Sequence, residues 1–347
     1  MLRFVLGASC VLVTACDRAP GPAPATTSAP AESEVVVYVA LDRQFSEPIL
    51  DDFTARTGIQ VQAVYDTEST NSVGLANRIR AEAARPRCDV YWNNEILNTL
   101  RLKRDGLLQP CRPANAAGYP VQFRDDAGHW FGFAARARIL LVNTERVGSD
   151  EMPTSVADLA AAKWRGRTGL AKPLFGTTAS HVACLFARLG ADRATELLRG
   201  IRDNEIQITG GNKSCAEMVG AGRLAFGLTD TDDALAEVDA GKPVKIVWPD
   251  AGADQMGVLL LPNTLALVKD CPHPAAGVQL IDYLLSPEVE ARLAAGPSGQ
   301  MPLHRDTQAR ARVGDWRDFH LMPVDFANAA DVFPVAQRYI EGEFLAP

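Results

Sequence analysis

The chain of 347 residues has no surplus of positive charge: 35 Lys and Arg stand against 42 Asp and Glu, a formal charge of −7. Such a balance has no general attraction for phosphate backbones, which excludes nucleic acid as a partner. Cysteines are few and far apart, at positions 10, 16, 88, 111, 184, 215 and 271, with no CxxC pair of the kind used by zinc knuckles and thiol oxidoreductases. The five histidines are scattered at 129, 181, 273, 304 and 320, and no HExxH, nucleophile elbow or P-loop is present. Those absences argue against an enzyme. No internal repeat points to a solenoid. What is present is ordinary: 47% hydrophobic and 22% charged residues, close to the average for folded domains, in a length that predicts one large or two medium domains.

The first residues form a separate unit. Arg3 precedes an apolar stretch from Phe4 to Val13, and Val13-Thr14-Ala15-Cys16 follows. This is the pattern of a signal peptide over 1–15, too short to span a bilayer, with Cys16 the expected site of lipidation. Residues 17–34, DRAPGPAPATTSAPAESE, hold no large apolar side chain. The segment 16–34 therefore reads as a lipidated cysteine and flexible tether, the only contact with a membrane. The body is then expected in an oxidising space at the periplasmic face of a membrane, where disulfides are allowed.

In the body, Val35 to Leu41 is a continuous β-rich run, as for a strand covered on both faces. Ser46 and Pro48 then open a helical pattern that Gly58 closes, and Ile59 to Tyr65 reads as a second strand. A helix over 73–84 and a strand over 88–92 continue the alternation, which predicts an α/β fold with mostly parallel strands. Two long strand signals, 131–143 and 256–268, bracket a second α/β set with helices near 179–189 and 214–220 and a strand over 224–228. The final stretch reads as largely helical, with Ser286-Pro287 a clear start. Two long strands around an inserted α/β unit predict a two-lobed body whose chain crosses between lobes twice.

An ordered set of landmarks resembles the type 2 periplasmic binding proteins, the solute-capturing components of bacterial ABC importers. It runs through Tyr38 to Asp42, Thr57-Gly58-Ile59, Asp89 to Glu95, Gly106-Leu107-Leu108, Ala135-Arg136-Ala137-Arg138, Trp164-Arg165-Gly166, Gly176-Thr177-Thr178, Gly227 to Ala234 and Pro262-Asn263-Thr264. The likeness is to the branch of ferric-ion and aminoethylphosphonate binders. It implies two mixed, mostly parallel sheets joined by a two-strand hinge, with lobe 1 at 35–135 and 258–347 and lobe 2 at 136–257. It also implies a monomer that closes on a small polar solute and delivers it to an inner-membrane permease with its ATPase. A ligand sensor or an enzyme on the same fold remains the alternative. No cofactor is expected, although a metal ion is possible as the transported ligand. Within this frame disulfides Cys88 to Cys111 and Cys184 to Cys215 are expected, each inside one lobe, leaving Cys271 free.

Ligands of open α/β sheets bind at the carboxyl ends of strands. That rule and the resemblance point to the same residues. Asp42 follows the first strand, as an oxygen ligand or a loop acid; Thr67 and Ser69 follow the second, as ligand donors or helix caps. Asn93, Asn94 and Glu95 end the third strand, where ferric binders usually supply an acid. Thr177 and Thr178 behind Gly176, and Asn212 with Lys213, open helices and read as anion sockets or plain caps. Arg136 and Arg138 share a strand face; each reads as an anion ligand or an interlobe ion pair. Asp230, Thr231 and Asp232 stand where many ferric binders have an adjacent tyrosine pair. Asp230 and Asp232 have the same parity, so both are expected to face the cleft. If the solute is a metal ion, Asp42, Glu95 and Asp232 are its expected ligands.

Overall fold

The alternating valines of the opening run are the reason it becomes β1 (Glu34–Val39): Val35, Val37 and Val39 are at most 1% exposed. In the computed structural model, which describes residues 32–65 and 73–346, the chain continues through α1 (Arg43–Thr57), β2 (Gln60–Tyr65), α2 (Val73–Ala81) and β3 (Val90–Asn93). The signal segment 1–15, Cys16, most of the tether, Thr67 and Ser69 lie outside the described residues. Helix α1 starts earlier than the Ser46-Pro48 pattern predicts. The amides of Phe45 and Ser46 already close onto the Asp42 carbonyl, so Pro48 falls inside the helix instead of opening it. Gly58 ends α1 in the left-handed conformation, at φ 76°, that favours glycine.

After α3 (Leu97–Arg104) and the short β4 (Leu108–Gln109) comes β5 (Phe131–Asn143), all thirteen residues of which are buried. The chain then runs β6 (Thr168–Ala171), α4 (Gly176–Leu189), α5 (Ala191–Asp203), β7 (Gln207–Thr209), α6 (Asn212–Gly220), β8 (Phe226–Asp230), α7 (Thr231–Asp239) and β9 (Val244–Val247). It returns through β10 (Leu260–Val268) and closes with α8 (Pro274–Leu284), α9 (Pro287–Ala295) and α10 (Phe326–Tyr339). Ser286 caps α9, its hydroxyl accepting from the Val289 amide. The strands run in the order β2-β1-β3-β10-β5-β8-β6-β7, with β4 on β10 and β9 on β5. β1 lies parallel to β2 and β3, and β6 to β7 and β8; β10 and β5 run antiparallel to every neighbour. The two halves of this mixed α/β fold therefore meet through β5, whose first part pairs with β10 and whose second part pairs with β8 and β9.

The junction is pinned by polar groups. Ala134 has a left-handed φ of 43° on β5, its amide donating to Glu290 Oε1 at 2.8 Å and its carbonyl accepting from Asn263 Nδ2. Glu290, fully buried, also accepts from the amides of Leu303 and His304. The β5–β10 register shifts at the same level, between Leu261 and Asn263.

Two further expectations are corrected. The last stretch is helical only in part: 296–325 is mainly irregular, and Phe319 stacks on Trp248 with ring centroids 4.1 Å apart. Helix α10 packs against both α4 and α3, so the C-terminal segment straddles the two halves. The expected disulfides are not formed, and all five described cysteines are buried thiols. Each sulfur has its own environment: Cys88 donates to the Val90 carbonyl, Cys271 accepts from Gln109, and Cys215 fills the space above Gly227 between β8 and α6.

Candidate functional site

Strand ends and helix starts from both halves converge on a cleft of about 450 Å³. Asp42 reaches it from the end of β1, Asn94 from the end of β3 and Arg136 from β5; Thr177, Gly210 to Ser214, Glu217, Asp230, Asp232 and Asp233 complete the lining. Of the expected residues, the structure thus brings together Asp42, Asn94, Arg136, Thr177, Asn212, Lys213, Asp230 and Asp232. Asp230 and Asp232 arrive by different means than strand parity. β8 ends at Asp230, and Asp232 lies in the first turn of α7.

Behind the lining is a closed network. The antiparallel register sets Arg138 of β5 opposite Asp230 of β8, and Arg138 Nη1 donates to Asp230 Oδ1 at 2.7 Å. Arg138 also donates to Thr177, Thr178 and Asn212, at 3.0 to 3.2 Å. Thr177 donates to Asp230 Oδ2 at 2.5 Å, Asn212 Nδ2 to the same oxygen at 3.0 Å, and Thr178 to Asn212 Oδ1 at 3.1 Å. Burial opposes ionisation of Asp230, but Arg138 and Arg136 overcome it and hold the carboxyl below its ordinary range. The hydroxyls of Thr177 and Thr178 are therefore spent inside the protein, and the anion socket expected at the start of α4 is filled by the Asp230 carboxylate. His181, one turn further along α4, is 2% exposed, and burial beside Arg138 lowers its pKa to about 3.

The other two helix starts differ from each other. Helix α7 carries Asp232 and Asp233 in its first turn, whereas α6 is preceded by Gly210-Gly211, has no side-chain cap and no acid in its first turn. The start of α6, with Lys213 in its first turn, gives the cleft a wall of unpaired helix-end polarity and one positive side chain. Asp230, Asp232 and Asp233 bring carboxylate oxygens within 4.8 Å of one another. Burial pushes the Asp232 carboxyl up, as do Asp230 and Asp42, and Arg136 offsets this only in part. Burial and the carboxylates of Asp232 and Asp230 raise Asp233 well above its usual range. The cluster offers the cleft carboxyl oxygens, the donor type that suits hard cations. No cleft-lining residue among those described is a tyrosine.

Four expected residues turn away from the cleft. Glu95 is 1% exposed and caps α3, accepting from the amides of Leu97 at 2.6 Å and Asn98 at 3.0 Å and from the Ser180 hydroxyl at 2.8 Å. Asn93 donates to Glu95 and Thr99. Thr231 accepts from the Ala137 amide, and Thr178 is held in the Arg138 network. Ser214 lies with Asn212 and Lys213 at the helix start the sequence marks, whereas sequence reading did not single out Gly210, Gly211, Glu217 and Asp233 as site residues. The Gly-Gly pair directly before a helix is the available signal for Gly210 and Gly211. Asp233 enters the cleft because the chain turns helical after Asp230, which puts Asp232 and Asp233 together in the first turn of α7.

Comparison with known proteins adds the following. A family model described as bacterial extracellular solute-binding protein matches residues 99–330. Iron uptake protein A1 of Synechocystis sp. is 25% identical over 293 residues, covering 82% of this chain and 79% of that protein. A Salmonella typhimurium periplasmic protein named for 2-aminoethylphosphonate binding is 25% identical over 293 residues, covering 81% of this chain and 83% of that one. Among solved structures, iron-bound HitA from Pseudomonas aeruginosa matches with a TM-score of 0.80 at 23% identity, over 88% of this chain and 99% of that chain, a likeness of fold.

Proposed function

The chain belongs to the bacterial extracellular solute-binding proteins, and from that premise we propose that its cleft captures a small polar solute carrying both a cationic centre and an anionic group. The solute is then handed to an inner-membrane ABC permease with its ATPase. The observation that carries this reading is the pairing, within one cleft, of the uncompensated start of α6 at Gly211 to Ser214 with the carboxylates Asp42, Asp232 and Asp233. A simple dianion would meet a surplus of carboxylates in a partly desolvated space, and uncompensated buried charge costs several kcal/mol. A solute with both charges avoids this. Ferric ion with a small anion and an aminophosphonate-like zwitterion both qualify, in keeping with the names of the relatives.

Titration calorimetry with 2-aminoethylphosphonate and with gallium(III) citrate, a redox-inert stand-in for ferric citrate, tests the reading. Binding is expected in the wild type, weakened by Asp232→Asn and by Lys213→Ala. Tight sulfate binding that Asp232→Asn leaves unchanged would overturn it.

The same proposal includes closure about β5 and β10, with lobe 1 at 35–135 and 258 onward and lobe 2 at 136–257, in a monomer. It also includes lipid anchorage through Cys16, supported by the Val13-Thr14-Ala15-Cys16 pattern. Detergent partitioning of wild type and Cys16→Ala checks the anchor; partition of both into the aqueous phase would exclude it.

A further inference from the structure

Arg136 already sits where the cationic centre of the solute is expected. It is 6% exposed and lines the cleft from β5, the strand shared by both halves of the sheet. Its Nη1 donates to Asp232 Oδ2 at 2.7 Å on α7, and its Nη2 to the Asn94 carbonyl at 2.6 Å beyond the end of β3. Its Nε is buried with no hydrogen-bond partner among the described residues. Arg138, two residues along the same strand, also has a buried Nε without a partner among the described residues, but it is fully buried and its Nη groups are bonded to Asp230, Thr177, Thr178 and Asn212, which commits it to the architecture. Among the described residues Arg136 hydrogen-bonds one carboxylate, that of Asp232, which is one of the oxygen donors facing the cleft.

We propose that Arg136 is a built-in counter-cation, which occupies the seat at Asp232 in the empty cleft and is displaced from it by the cationic centre of the solute. The proposal rests on the two-ended reading of the cleft and adds to it a residue that sets threshold and selectivity. A buried carboxylate stripped of its counter-charge is strongly destabilising. Exchange of a guanidinium for an ammonium group or a metal ion leaves Asp232 compensated, and the displaced guanidinium stays in the field of the Asp230 and Asp233 carboxylates, so a cationic solute meets little penalty there. A neutral solute of the same size cannot make the exchange, because displacement of Arg136 would leave Asp232 bare. The same guanidinium ties Asp232 of one half to the Asn94 backbone of the other, so the exchange also releases a bond between the halves.

The test is calorimetric titration of the intact protein at about pH 8, well above the ordinary carboxylate range, using gallium(III) citrate and 2-aminoethylphosphonate as probes. Arg136→Gln removes the competitor and is expected to bind the probe that the wild type takes up roughly tenfold more tightly. In an Asp232→Asn background the same substitution is expected to give no gain, because the contested seat is gone. Circular dichroism of each variant establishes folding, and Arg136→Lys, which keeps a cation at the seat, is expected to stay near wild type. Arg136→Gln binding as well as or more weakly than wild type overturns the proposal alone, the latter making Arg136 a direct ligand of the anionic group. A gain that persists in the Asp232→Asn background also overturns it. A wild type that binds neither probe overturns the reading of the cleft, and this proposal falls with it.

Discussion

Ser180 of α4 donates its hydroxyl to Glu95 Oε2 at 2.8 Å, joining the second half of the sheet to the capped start of α3 in the first. Glu95 thereby accepts two backbone amides and two side-chain donors, and none of its bonds points into the cleft. Glu95→Ala should destabilise the protein by about 1–3 kcal/mol, the cost of leaving buried donors unpaired, and should leave solute affinity near wild type. Urea unfolding combined with titration calorimetry checks both. Lost affinity at unchanged stability would restore Glu95 as a solute ligand.

The Arg138–Asp230 pair is buried on both sides, at 0% and 2% side-chain exposure. Removing one partner leaves a bare charge, so Arg138→Met should cost about 3–5 kcal/mol in chemical unfolding. Adding Asp230→Asn to the same chain should recover a large part of that loss. Equal instability of the single and double variants would show that packing of the long side chain, and not its charge, is what counts.

Asp233 should make stability depend on pH. Its carboxyl titrates well above the usual range in the folded, solute-free protein because of burial and the neighbouring Asp232 and Asp230. As pH rises through the ordinary carboxylate range, the unfolded chain releases this proton first, so stability falls until the folded-state pKa is passed. Asp233→Asn should therefore raise the melting temperature at about pH 7 and lose that advantage near pH 3, where the group is protonated in both states. Asp230 works in the opposite sense, since Arg138 and Arg136 outweigh burial and lower its pKa. Its stabilisation is present above the ordinary carboxylate range and is lost as pH falls through the depressed folded-state pKa. A melting-point difference for Asp233→Asn that is flat with pH would contradict the assignment.

The thiols of Cys111, Cys215 and Cys271 are pushed up to about 12 by burial. Together with Cys88 and Cys184, they should resist a disulfide reagent such as DTNB in the native protein and react on denaturation. Reductant should leave the melting temperature unchanged. Peptide mapping that recovers Cys184 linked to Cys215 would reverse this conclusion.

Alternation and helical period are local properties, and they were enough to delimit β5 at 131–143, to place β1, β2 and α6 within a few residues, and to order the α/β units around two long strands. Capping chemistry is equally local, which is why Ser286-Pro287 marked α9 correctly. The ordered landmarks carried the family as well, because they are short motifs that survive without knowledge of their contacts.

The roles of the polar residues at the strand ends were decided elsewhere. Glu95 and Asp232 read alike as acids after a strand, yet Glu95 is turned onto the amides of α3 and a serine 85 positions away, while Asp232 is left in the cleft with a guanidinium 96 positions away. Thr177 looked like an anion donor until the register of β5 on β8 set Arg138 against Asp230 and drew its hydroxyl into that pair. From its own sequence the chain determined its long strands, the capped start of α9 and the set of polar groups available for binding. Tertiary structure alone decided which of them satisfy one another and which remain for a solute, because a buried polar group takes its partner from whatever packing brings within about 3 Å, whatever the distance along the chain.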